Sequence, residues 1–192
     1  MTAKVLLIGT LDTKGVEYQY VRDRLHAAGV ATLVIDAGVL GPPHFLPDLG
    51  REAVYAAAGT SLAAVRQAND RGQAIEAAAR GVVKIVSELA ATGQVAGVLG
   101  LGGSAGTTIA TAAMRFLPFG IPKLMVSTLA SGQVRPYVGV RDVMMMHSVV
   151  DISGLNRISR TVLENAVAAM TGMIRAPRPQ ETNGPGEKDR VV

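Results

Sequence analysis

The sequence contains neither cysteine nor tryptophan. Without cysteine there is no disulfide, no thiolate metal site and no thiol nucleophile. A cytoplasmic protein is the simplest reading of that absence. Aromatic residues are scarce at 4%, and the three Phe and four Tyr are dispersed along the chain. The net charge of +4 is modest and its cations are scattered. A nucleic-acid module would gather a basic face with aromatic stacking residues, so nucleic-acid binding is not expected. No apolar run reaches the roughly 20 residues that cross a bilayer. The short amino-terminal run VLLIG after Lys4 reads as a first strand rather than a signal peptide, and no membrane association is expected.

What is present is a core vocabulary of Ala, Val, Leu, Ile and Met within a 48% hydrophobic chain, together with 22 glycines. At 192 residues the chain can bury a substantial single core. Continuous apolar runs, as in strands buried on both faces, occur at Lys4–Gly9, Ala31–Asp36, Val95–Gly100, Lys123–Ser127 and Val143–Val150. Helical spacing or Ala-rich composition marks Val16–Ala28, Arg51–Ala57, Gln73–Ala91, a helix from Ser104 to just before Pro118, and Arg157–Ile174. Gly38, Gly41, Pro42, Pro43 and Pro47 make 37–47 an irregular loop. The alternation predicts an α/β fold, a doubly wound Rossmann-like parallel sheet of about five strands in three layers, with ligands at the strands' carboxyl ends. The expected domain covers 1–176. From 177 to 192 the chain is rich in Pro, Gly and charge, and is read as a disordered tail or linker.

Three loops after apolar strands carry donor-rich chemistry. In Gly9-Thr10-Leu11-Asp12-Thr13-Lys14-Gly15, the hydroxyls, Lys14 and the amides of the next helix suit an anion, and Asp12 suits Mg²⁺ directly or through water. The competing reading is an ordinary capped turn with Asp12 or Thr13 as N-cap. In the second loop, Gly102, Gly103, Ser104, Gly106 and Thr107 occupy a strand–turn–helix junction whose amides and dipole favour negative charge. The third, Ser127–Gly132, repeats this chemistry around Thr128. Asp36 ends the second strand where a carboxylate often accepts from ribose hydroxyls, although a cap explains it equally.

The stretch VLGLGGSAGTT satisfies a second pattern, because Gly102-x-Ser104-x-Gly106 is also a nucleophile elbow. The order serine, acid, histidine then selects Ser104, Asp142 and His147. But His147 lies within VMMMHSVV, where a buried, hydrogen-bonded structural role reads better than a base for Ser104. His26, His44 and His147 show no metal-ligand spacing. No catalytic residue and no metal site are assigned.

The phrases GTLDTKG (9–15), LGLGGSAGT (99–107), FGIPKLMVSTLASG (119–132) and YVGVRDVMMMHSVVDISGLNRISR (137–160) together resemble the family named for the tomato mosaic virus resistance protein, the Tm-like ATP-binding domain family. The resemblance covers about 1–176. It implies a Rossmann-like, ATP-binding, dimeric domain, with the glycine-rich segments at 9–15 and 102–108 lining a nucleotide site. The family's loop reads GGSGGT where Ala105 stands here. Family members continue into a second Rossmann-like half and some carry a barrel domain, so either is an expected partner beside a second copy of the chain. The functional expectation is an ATP-binding module, with Mg²⁺ as accompanying ion, acting in binding or regulation or as one half of a larger protein. The alternative is an enzyme acting on a nucleotide or phosphorylated metabolite, completed by a second half or partner chain.

Overall fold

The computed structural model describes residues 3–177; the tail expected from residue 177 lies, apart from its first residue, outside them. The elements run β1 (Lys4–Gly9), α1 (Leu11–Ala27), β2 (Thr32–Asp36), α2 (Arg51–Ala57), α3 (Leu62–Ala68), α4 (Arg71–Ala91), β3 (Val95–Gly102), α5 (Ser104–Phe116), β4 (Lys123–Ser127), α6 (Arg135–Val138), β5 (Met144–His147) and α7 (Arg157–Arg175). The described strands form an all-parallel sheet in the order β2-β1-β3-β4-β5. The expected α/β fold with a doubly wound sheet is therefore what forms.

The central strands are apolar because both of their faces are covered. One core joins Leu6, Ile8, Val98 and Met125 to α2, α4 and α5, and the other joins Val5, Leu7, Leu99 and Val126 to α1 and α7. Alternate residues of each strand feed opposite cores, the period-2 geometry of a strand. The order of connection reverses between β1 and β3, so their carboxyl ends flank the switch point where open α/β sheets leave a crevice.

Several expectations need correction. Helix α1 starts one turn earlier than its apolar periodicity suggests, so most of the expected loop 9–15 is helical. Neither Asp12 nor Thr13 is its N-cap. Thr10 holds that position without a side-chain cap, and the Leu11 amide donates instead to Asp36 Oδ1, at 3.0 Å from the end of β2. Helix α3 was not expected, although Ser61, whose hydroxyl accepts from Ala64 N at 3.1 Å, and left-handed Asn69 are a start and a stop signal. Strand β5 is shorter than Val143–Val150. It is an edge strand, with Met144 exposed and Met145 and Met146 half-buried, one against each core.

Candidate functional site

A cavity of about 710 Å³ opens at the switch point. Its wall carries Thr10, Asp12, Thr13 and Lys14 from the first turn of α1, and Gly102, Gly103, Ser104, Ala105 and Gly106 from the β3–α5 junction. The sheet thus brings together the first two of the three loops singled out in the sequence. Helix α5 begins with Gly103 as N-cap and no side-chain cap, so its first amides face the cavity without an internal partner. On the α1 side, Thr10 and Thr13 hydroxyls lie 2.7 Å apart and share one hydrogen bond. Apart from Lys14 and the Asp12 carboxylate, the arrangement is a set of neutral donors beside a helix dipole, a chemistry suited to a phosphate or carboxylate.

The glycines have packing duties as well. A Cβ on Gly102 would lie 3.0 Å from Gly106 Cα, and one on Gly106 would lie 3.0 Å from the Leu101 carbonyl oxygen. The absence of side chains at both positions lets helix α5 seat its first turn closely on β3, where a Cβ would press the backbone apart by a few tenths of an ångström. At Gly15 a Cβ would stand 2.2 Å from His44 Cβ, which closes the loop after β2 onto α1. Gly102 and Gly106 thus permit the close packing and also line the cavity.

Other expected site residues are placed differently. Thr107 is fully buried. Its hydroxyl shares a 2.7 Å hydrogen bond with Ser127 Oγ, and its amide donates to the Gly103 carbonyl. Thr128 lies behind the glycine turn and donates its amide to the Gly102 carbonyl at 3.3 Å, so the third loop braces the second rather than lining the cavity. Lys14 reaches the cavity wall while its ammonium donates to the Ile152 carbonyl. An ammonium has three donors, so that bond leaves capacity for an anion.

Asp36 does not reach the cavity. It is fully buried, and its Oδ1 accepts from Leu11 N and from Gly38 N at 2.9 Å. Desolvation raises its carboxyl above the ordinary range, against the opposing pull of those two amides and of Arg51. Arg51 is itself buried, with Nε 4.0 Å from Asp36 Oδ2 and Nη1 3.9 Å from Asp12 Oδ2. Asp12 uses Oδ2 to accept from Val39 N at 3.0 Å and Leu40 N at 2.7 Å. One guanidinium thus balances two buried carboxylates, Asp12 on the cavity wall and Asp36 behind it. Tyr55 shares this environment, and its hydroxyl is pushed up to about 12 by burial and then by Asp12 and Asp36.

The far side of the cavity was missed in the sequence. It is built by Val65, Arg66 and Asn69 of the α3 segment, by Arg71, Ala74 and Ile75 of α4, and by Tyr55 of α2. Arg66 and Arg71 add cations opposite Lys14. Asp70, also on the wall, is spent as the α4 N-cap, accepting from Gln73 N at 3.0 Å. The Ser61 and Asn69 caps were legible, but the path of α3 over the site depends on contacts distant in sequence.

The elbow reading fails on geometry. Asp142 accepts from the buried ammonium of Lys123 at 2.7 Å and from Gly120 N at 2.8 Å, so it orients no histidine. His147 is exposed on edge strand β5 rather than buried. Among the described residues the Ser104 hydroxyl has no hydrogen bond to a side-chain base.

Residues 3–179 match the model of the uncharacterised protein family UPF0261, N-terminal domain. The chain belongs to this family. It is similar to a UPF0261 protein of Rhizobium meliloti, 46% identical over 182 residues, covering 95% of this chain and 45% of that one. A UPF0261 protein of Clostridium tetani is 44% identical over 180 residues, 94% of this chain and 45% of the relative. The ToMV susceptible protein tm-1(GCR26) of Solanum lycopersicum is 35% identical over 188 residues, with 89% of this chain and 25% of the plant protein covered. The chain spans less than half the length of these curated relatives.

Proposed function

We propose that this UPF0261 domain binds a phosphorylated small molecule, with an adenine nucleotide as the leading ligand. The observation that carries the reading is the uncapped α5 N-terminus, Gly103 to Gly106, facing Thr10, Thr13 and Lys14 across one cavity at the switch point. Phosphates would take the free amides of α5 and the hydroxyls of Thr10, Thr13 and Ser104, with Lys14 supplying charge. The remaining volume, walled by Val39, Leu40, Tyr55, Val65, Ile75 and Ile109, suits an apolar or aromatic moiety such as a base. The resemblance noted in the sequence adds ATP as the first candidate.

The residues around Asp12 do not fit a metal held by the protein. Its Oδ2 is committed to two amides, and its Oδ1, buried without a hydrogen-bond partner, is a single oxygen with Arg51 on the same carboxylate at 3.9 Å. No cluster of three or more metal-binding side chains occurs among the described residues. Mg²⁺, where it takes part, would arrive on the nucleotide's own phosphates.

A role in binding or regulation is the leading reading, since the donors at this cavity serve to hold a ligand. The relatives are more than twice as long as this chain, so an enzyme completed by a second half or by another copy is the alternative reading. Isothermal titration of the folded chain with ATP, ADP and AMP, with and without Mg²⁺, tests the proposal. Saturable binding that weakens as phosphates are removed is expected; no heat with any of the three would overturn it. Phosphate release on adding the relatives' missing half would favour the enzyme.

A further inference from the structure

Helix α3 forms part of the cavity wall, yet none of its residues is fully buried. Leu62 and Val65 rest half-buried on the core beneath. Positive-φ residues flank it, Gly59 (φ 79°) two residues before the Ser61 cap and Asn69 (φ 47°) as its C-cap. A Cβ at Gly59 would meet open space, and at the amino-terminal end of α3 only half-buried Leu62 packs on the core. What holds α3 from the cavity side is Arg66, whose Nε donates to the Val39 carbonyl at 2.6 Å and whose Nη2 donates to the Leu40 carbonyl at 2.8 Å.

Those two carbonyls belong to residues that are themselves fixed. The Val39 and Leu40 amides donate to Asp12, the neighbouring Gly41 carbonyl accepts from Arg51, and both Asp12 and Arg51 are buried. The loop 39–41 is therefore a firm catch, and α3 is fastened to it by one exposed side chain. Neutral carbonyls are weaker acceptors for a guanidinium than a phosphate or carboxylate oxygen.

We propose that α3 is the movable wall of the ligand cavity and that Arg66 is its latch, exchanging the Val39 and Leu40 carbonyls for an anionic group of the ligand as the wall closes. The closing half of this proposal rests on the binding function proposed above; the latch does not. Arg66 would thereby couple occupancy to the position of α3. Segments held by few buried side chains open at low free-energy cost, which suits an element that must admit a ligand.

Amide hydrogen exchange on the full chain tests both halves. Without ligand, Arg66→Ala is expected to speed exchange across 62–69 by at least about tenfold, since two hydrogen bonds from a charged donor are lost and their exposure to solvent discounts each. Arg66→Lys should give a smaller increase, and α5 should be unaffected in both variants. Equal rates in wild type and Arg66→Ala would overturn the latch. With ATP added, slower exchange across 62–69 in wild type and faster ATP release from Arg66→Ala are expected. Protection at 104–107 with no change across 62–69 would overturn closure. Protection nowhere would remove the nucleotide reading and closure together, while the ligand-free comparison would still decide the latch.

Discussion

The ring of Tyr18 occupies the space that a side chain on Gly9 would need. A Cβ built on Gly9 would stand 2.1 Å from Tyr18 Cζ. The ring cannot swing aside, because Tyr18 is fully buried and its hydroxyl is pinned between strands. It contacts the Ile8 carbonyl, lies 3.0 Å from the Leu101 carbonyl oxygen, and accepts from Leu101 N at 2.7 Å. One phenol thus ties the ends of β1 and β3 together where the cavity opens, and burial pushes its ionisation far up.

Gly9→Ala is accordingly expected to destabilise the fold by about 3 kcal/mol, the upper end of the usual cost of overpacking a core. Urea denaturation of wild type and variant measures this. A change below about 0.5 kcal/mol, the range of ordinary surface substitutions, would mean that Tyr18 relocates easily. Gly9 would then owe its place to something other than packing.

Ser104→Asp separates helix energetics from ligand chemistry, because the two predict opposite signs. Ser104 is exposed in the first turn of α5 and lines the cavity. A carboxylate there complements the helix dipole and should stabilise the protein by about 0.3–1 kcal/mol. The same charge faces the proposed phosphate position, where like charges cost several kcal/mol. The expected result is a higher Tm together with ATP affinity reduced by at least about tenfold. A higher Tm with undiminished affinity would move the phosphates away from α5.

For Lys14 the structure offers two employments, a strut to the Ile152 carbonyl and a charge on the cavity wall. Lys14→Ala should weaken ATP binding by about 1–3 kcal/mol, the scale of a hydrogen bond to a charged group. Titration calorimetry reads the affinity, and a parallel denaturation curve reads the strut. Lost stability with unchanged affinity would leave Lys14 as a strut alone.

The sheet and most of its helices were legible because uninterrupted apolar runs and capped, periodic segments are local signals. Lys4–Gly9 and Lys123–Ser127 have the expected boundaries for that reason. The start of α1 was not legible, since the carboxylate that receives the Leu11 amide comes from Asp36, 25 residues away. The same contact explains why Asp36, at the end of β2 where a carboxylate for a ribose is expected, faces inward instead. Of the candidate site, the two glycine- and hydroxyl-bearing turns could be read from sequence. Arg66, Arg71 and Tyr55 could not, because only the folding of α2–α4 over the switch point brings them to the cavity. Thr107 and Thr128 read as ligand donors by composition, but the Thr107 hydroxyl is shared with Ser127, and Thr128 is placed by its amide, which donates to the Gly102 carbonyl away from the cavity wall.

Asp36 also sets a pH dependence whose sign can be worked out. Its folded-state carboxyl is raised, chiefly by desolvation, from the ordinary value of 3.8. The folded protein therefore holds this proton more tightly than the unfolded chain does. The group destabilises the fold at pH above its folded value, and that penalty fades as pH falls towards 3.8. Asp36→Asn keeps an acceptor for Leu11 N and removes the titration, so it isolates the effect. Denaturation curves from pH 7 downwards should show wild type gaining stability relative to Asp36→Asn as the pH drops. A difference that is flat with pH, or one that shifts in favour of Asp36→Asn on acidification, would show that Arg51 and the two amides hold Asp36 ionised despite its burial.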